Sequence, residues 1–306
     1  LLSMGISPFV AILASIAVAC VIGIWQGWLI GYVHIPPFIC TLAGMFLFRG
    51  VARVILDSKT VAIMDKKFLS LFTSYIQIPG LDVNQRVISS MAVGIVVAIV
   101  ITAYTFISEH NKVKKGYDSA SITSTAIRVA IFDLVILFYA YKLMSYKGIP
   151  IMLIWILVVV AIFAFVTSST VFGRYFYAVG GNEKATRLSG IDPRKVYFWA
   201  YFLMSLLAGL SGLLVGARIG SVDGNMGNSY EMDAIASCFI GGASAYGGSG
   251  TVQGIMIGAI LLGVINQGMS ILGLPDQFQY IVKGAVLLGA VVFDVVSNCL
   301  LYTSPS

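Results

Sequence analysis

The sequence predicts an all-α fold: a polytopic transmembrane helix bundle with about eight long membrane helices and one short segment suited to a re-entrant course. Three observations carry that prediction. Hydrophobic residues make up 58% of the 306 residues and charged ones only 10%, where a soluble domain has about a quarter charged. Mean hydropathy is +0.94. The apolar residues also fall in runs near the roughly 20 residues that a helix needs to cross a bilayer core about 30 Å thick. Barrel strands would be about ten residues long with alternating polarity, and these runs are not.

The first two spans are expected at 8–33 and 38–56. Between them "HIPPF" sets two prolines that cannot continue a helix, so the two spans turn tightly into antiparallel neighbours. A polar connection, 57–86, leads to a span at 87–107. The basic stretch "SEHNKVKKGYDSASITST" then precedes a span at 126–144, and "YKGIP" introduces the next at 150–168. After the polar stretch Tyr177 to Lys195 come a span at 196–219 and a segment at 230–240 that is too short to cross comfortably. Two further spans, 251–271 and 277–296, close the bundle. Residues 1–298 read as a single membrane domain. The start "LLSMGISPFV" has no basic n-region or cleavage site, and Leu1 is no initiator, so the chain is expected to begin inside a longer protein. The end, "CLLYTSPS" at 299–306, resembles a translated sequencing adapter and reads as a non-native tail.

Lys and Arg in the short connections divide evenly between the two sides, so charge alone does not orient the chain. Cys20, Cys40, Cys238 and Cys299 have no CxxC spacing and no histidine cluster, which leaves no disulfide or metal case. The net charge of +6 is spread over loops without a basic stripe, so nucleic acid is not an expected partner. The only histidines are His34 and His110, both in connections, and no catalytic residue set can be assembled. A chain of intramembrane carboxylates or histidines of the kind that serves a proton-driven carrier is not evident.

The stretch "YAVGGNEKATRLSGIDPRK" reads as one short helix with both ends written in. Asn182 is a good N-cap and Glu183 sits at the positive end of the helix dipole. Glu183 and Arg187 stand i,i+4, Ala185 and Leu188 form a small apolar face, and Gly190 suits a left-handed stop. So short a helix needs external support. It either rests on the ends of its flanking spans or docks onto a partner, and capping explains shape without deciding purpose.

"GGASAYGGSG" lacks the G-K-[ST] of a phosphate loop. Gly250, Gly254 and Gly258 recur at four-residue spacing, which suits close helix packing and is compatible with shaping a pathway. Polar residues within membrane segments are candidate functional positions. Asp133 reads as a partner for Arg128 or a residue of a wet crevice, and Glu231 and Asp233 suit the N-terminus of their short helix. Glu231, Asp233, Asn266 and Gln267 are the candidate substrate-pathway residues, and the amides of Asn266 and Gln267 are candidate sugar contacts or face another helix.

"YKGIP", "FGRYFYAVGGNEKATRLSGI", "EMDAIASCFIGGASAYGGSGTVQG" and "QYIVKGAVLLGAVVFD" together resemble the inner-membrane permeases of sugar-importing ABC transporters, in the xylose and multiple-monosaccharide branch. That resemblance implies a bacterial inner-membrane protein that is not itself an enzyme. It implies a permease dimer on cytoplasmic ATPase subunits that hold ATP and Mg, with a periplasmic sugar-binding protein delivering a monosaccharide. The segment Gly181 to Gly190 then matches the cytoplasmic coupling helix, with Gly181, Asn182, Glu183, Lys184, Ala185, Arg187, Leu188 and Gly190 facing the ATPase. The family's first helix pair, with its Gly-Gly-Ile-Asp-Leu-Ser-Val-Gly signature, has no counterpart here. The alternative from another class is an ion-driven secondary carrier.

Overall fold

The computed structural model describes residues 2, 5–75, 91–96, 98, 99, 102, 103, 105, 107, 122–144 and 148–303. Its helices are α1 (Pro8–Gly31), α2 (Pro37–Ile55), α3 (Lys66–Thr73), α4 (Ile122–Met144), α5 (Ile151–Ser169) and α6 (Val171–Gly181). They continue with α7 (Glu183–Leu188), α8 (Pro193–Ile219), α9 (Tyr230–Ile240), α10 (Val252–Ile271) and α11 (Asp276–Thr303). Two-residue strands β1 (Val61–Ala62) and β2 (Ser221–Val222) pair antiparallel, Val61 with Val222 and Ala62 with Ser221. Six of the described helices are long and apolar enough to cross a membrane: α1, α2, α5, α8, α10 and the part of α11 over Asp276–Val296. The expected span at 87–107 lies only partly among the described residues, and those of 91–107 that are described are helical. The side chains of Arg128 and Cys299, and all of His110, lie outside what is described.

Contacts divide the chain into two units, Leu1–Leu69 with Ile156–Ser306, and Ser70–Trp155. In the larger unit α1 and α8 run antiparallel along a close seam. A methyl added at Gly27 would lie 2.7 Å from the Phe198 carbonyl oxygen, and one at Gly31 would lie 2.7 Å from that of Arg194. Gly23 faces Phe202 in the same way at 3.0 Å, and Ser205 donates its hydroxyl to the Ala19 carbonyl at 2.8 Å. Small residues at i, i+4 and i+8 thus let two backbones approach. The core of this unit follows that seam through Ala11, Ala19, Ile30 and Ala217. After the Pro36–Pro37 turn α2 folds back on α1, with Trp25 edge-on to Phe48 at 5.5 Å. At the far end of α8, Gly220 takes φ +74 and stops the helix, and β2 follows directly.

The second packed group in this unit is α9, α10 and α11. Gly254 sits against the Gly241 carbonyl and Gly258 against that of Ser237, with no room for a side chain at either. Gly250 stands ahead of this helix rather than on it, because Thr251 caps α10 by accepting from the Gly254 amide at 3.1 Å. Gly250 instead has φ +141 and offers its carbonyl to the Tyr177 hydroxyl at 2.9 Å.

Sequence reasoning missed α6. The apolar run of α5 ends at a local cap: Thr170 accepts from the Gly173 amide at 3.0 Å while donating to the Val166 carbonyl at 2.6 Å. The chain restarts in a new direction without any loop. Phe172 and Phe176 of α6 then pack edge-on at 4.9 Å, and Phe172 meets Trp199 of α8 at 6.2 Å.

In the smaller unit, the Ile151 amide donates to the Ser74 carbonyl at 2.9 Å, and Phe72 meets Trp155 with ring centroids 6.0 Å apart. Asp133 of α4 accepts from the Thr102 hydroxyl at 2.6 Å, and its other carboxylate oxygen is buried without a partner among the described residues.

Candidate functional site

The short helix α7 is built as its sequence spells it. The Asn182 side chain accepts from the Ala185 amide at 3.0 Å, and Gly190, past the end, takes φ +86. Its anchor is a residue the sequence reading passed over. Thr186, only 6% exposed, shares its hydroxyl between the carbonyls of Ala178 and Asn182, both at 2.8 Å. This ties α7 back to the end of α6.

One sequence expectation about α7 is corrected. Glu183 forms no ion pair with Arg187 among the described residues; its carboxylate accepts from the Tyr197 hydroxyl of α8 at 2.9 Å. A tyrosine held by the adjacent span is a better-fixed partner than a solvated arginine. Leu188 is 90% exposed. Only Thr186 of this helix is buried, so Lys184, Arg187 and Leu188 project outward together. Replacing Asn182 with alanine is expected to loosen α7 by about 1 kcal/mol. Faster hydrogen exchange at the Ala185 amide checks this.

Beside α7 lies a cleft of about 550 Å³, walled by His34 to Pro37 of the first turn, Glu183 and Arg187 of α7, and Asp192, Arg194 and Tyr197. Asp192 caps α8, accepting from the Arg194 amide at 3.1 Å and from its Nε at 3.1 Å. That side-chain hydrogen bond holds the Asp192 carboxyl below its usual range. A depressed carboxyl keeps its contribution at neutral and mildly acid pH and loses it only as pH falls through the lowered value.

The second cluster lies within the α9–α10–α11 group. Asp233 accepts from Lys283 Nζ at 2.9 Å and from Asn266 Nδ2 at 3.3 Å through the same oxygen, Oδ2. The two charged side chains are 26% and 19% exposed. Asp233 Oδ1 and Asn266 Oδ1 are buried and lack hydrogen-bond partners among the described residues. At 1.5 Å rise per residue, Asp233 lies about 12 Å from the glycine-loop end of α9, and Asn266 about 20 Å along α10. Asn266 and Lys283 thus lie within two of the helices long and apolar enough to cross a membrane. Of the four candidate pathway residues, Asp233 and Asn266 are joined by a hydrogen bond, whereas Glu231 and Gln267 are exposed. Lys283 was missing from the sequence inventory of polar membrane positions. Its signal was available, since it is the one basic residue inside the last apolar run.

A family model described as the permease component of branched-chain amino acid transport systems matches residues 68–291. The chain belongs to this permease family. It is similar to the xylose transport system permease protein of Haemophilus influenzae, 34% identical over 285 residues, covering 93% of this chain and 74% of that protein. The xylose transport system permease protein of Escherichia coli K12 is 31% identical over 283 residues, 92% of this chain and 70% of that protein. The ribose import permease protein of the same strain is 45% identical over 142 residues, 46% of this chain and 44% of its own length. No solved structure is significantly similar. As a helical permease component with six apolar helices of spanning length among its described residues, the chain is a multi-pass inner-membrane protein.

Proposed function

We infer that the chain is the membrane subunit of an ATP-driven importer of a monosaccharide, xylose or a related sugar. In this reading two permease copies, surrounded by membrane lipid, rest on cytoplasmic ABC ATPase subunits. A periplasmic sugar-binding protein delivers the substrate. ATP and Mg are held by the ATPase, and this chain binds no cofactor. The observation that carries the reading is α7: a capped helix between membrane helices, buried only at Thr186, with Lys184, Arg187 and Leu188 presented outward. A helix this short does not persist alone, and such a mixed charged and apolar face suits a protein groove. The sugar assignment is supported by the two xylose permeases, which align with 93% and 92% of the chain.

Closure of the ATPase would displace α7, and the helices on either side would carry the displacement to the pathway. Asp233 and Asn266 are the candidate pathway contacts, with Glu231 and Gln267 as further ones, because buried carboxylate and amide oxygens suit sugar hydroxyls. Alanine at both Asn266 and Gln267 should lower uptake by the assembled transporter, and unchanged uptake removes them from the pathway. The coupling role is tested with Lys184→Cys, which should crosslink to the ATPase in the assembled complex; a correctly assembled complex with no crosslink overturns the docking role.

The buried Asp233 carboxylate favours one rival, an ion-driven secondary carrier. Sugar uptake into liposomes holding the permease without any ATPase, driven by an ion gradient, would establish that rival.

A further inference from the structure

The loop between α9 and α10 meets the end of α6, just ahead of α7, backbone against backbone. A methyl at Gly180 would lie 2.7 Å from the Gly248 nitrogen, one at Gly247 2.7 Å from the Gly180 oxygen, and one at Gly248 2.8 Å from the Gly181 Cα. Gly247 and Gly248 take φ +87 and +78, the left-handed conformation that keeps side chains out of the contact. Tyr177 of α6 adds its hydrogen bond to the Gly250 carbonyl at 2.9 Å. Asp294 of α11 holds the same loop by accepting from the Ala245 amide at 3.3 Å.

We propose that this glycine-on-glycine contact is the joint that passes movement of α7 to the helices carrying Asp233 and Asn266. The proposal rests on the reading of α7 as the partner-docking helix. On one side of the joint, the Thr186 hydroxyl fastens α7 to the Ala178 and Asn182 carbonyls, so α7 and the end of α6 move as one piece. On the other side, the loop runs directly into α9 and α10, which are locked together by Gly241 on Gly254 and Ser237 on Gly258. Side chains at a contact can absorb a shift by changing rotamer, and bare backbones at van der Waals distance cannot. A push on α7 is therefore delivered to α9 and α10 as a body. Asp233 on α9 and Asn266 on α10 then move against Lys283 on α11.

The test uses the assembled transporter, with uptake and ATP hydrolysis measured on one preparation. Gly180 lies in a helix, so Gly180→Ala suits its backbone and alters only the space facing Gly248. It should lower sugar imported per ATP hydrolysed about tenfold with hydrolysis kept. Gly263→Ala on α10 meets nothing within 4 Å and should leave the ratio unchanged. If Gly180→Ala fails to assemble, Tyr177→Phe removes the bond to Gly250 without adding volume and should lower the ratio about threefold. An unchanged ratio in an assembled Gly180→Ala or Tyr177→Phe transporter overturns the joint. The Lys184→Cys crosslink on the same preparation separates the two readings. Crosslinking with an unchanged ratio sinks the joint alone, whereas absent crosslinking in a complete complex sinks the docking role beneath it.

Discussion

Replacing Lys283 with methionine is expected to destabilise the protein by about 3 kcal/mol, because it leaves the Asp233 carboxylate without its cation. Among the described residues the Asn266 amide at 3.3 Å would be its one remaining side-chain partner, on the oxygen it already serves. Breaking a buried ion pair by removing one partner costs roughly 3–5 kcal/mol. The low end applies here because the side chains are 19% and 26% exposed. Removing both charges, as in Lys283→Met with Asp233→Leu, should restore most of the loss, since a well-packed apolar pair is about as stable as a buried ion pair. Denaturant unfolding of the purified protein, read as a double-mutant cycle, measures the coupling. A double variant as unstable as the single one would show that the pair contributes through something other than charge compensation. Sugar uptake in the stable double variant adds a separate readout: retained uptake assigns the pair to structure, and lost uptake assigns it to the pathway.

What was legible in the sequence tracks how local the determining interaction is. The class of protein followed from composition, because the bilayer sets helix length. The ends of α7 followed from Asn182 and Gly190, because a cap acts over three residues and a left-handed stop is a property of one. Where a side chain chose among partners the reading failed. Glu183 had Arg187 four residues away and instead took Tyr197, fourteen residues on. The Asp233–Lys283 pair spans fifty residues and three helices, which no spacing rule reaches. The break between α5 and α6 was readable in principle, since Thr170 and Gly173 form a capping pair. It was hidden by the continuity of apolar residues across it.

The four-residue glycine spacing of Gly250, Gly254 and Gly258 also occurs in α1, at Gly23, Gly27 and Gly31, where it carries the seam with α8. Gly27→Val is expected to force α1 away from α8 at a cost of at least about 2 kcal/mol, because overpacking a close contact costs typically 1–3 kcal/mol per insertion. The first added carbon alone would sit 2.7 Å from the Phe198 carbonyl oxygen and 3.1 Å from its ring. The oxygen belongs to a helix backbone and cannot rotate away, and the ring is held by Tyr32, Trp199 and Phe202. The nearby Gly50 on α2 supplies the contrast: nothing lies within 4 Å of a methyl there. Gly50→Ala should be neutral or stabilising by up to about 1 kcal/mol through helix propensity. Thermal unfolding of the two variants beside the parent separates close approach from glycine's general flexibility. If Gly27→Val unfolds with the parent, the seam yields to an added side chain, and backbone proximity is not what holds α1 to α8. Because the first turn and α7 wall one cleft at the Gly31 end of this seam, the same variant should also weaken the Lys184→Cys crosslink. An unweakened crosslink in a variant whose seam has opened would show that α7 is positioned by Thr186 and Tyr197 without help from α1.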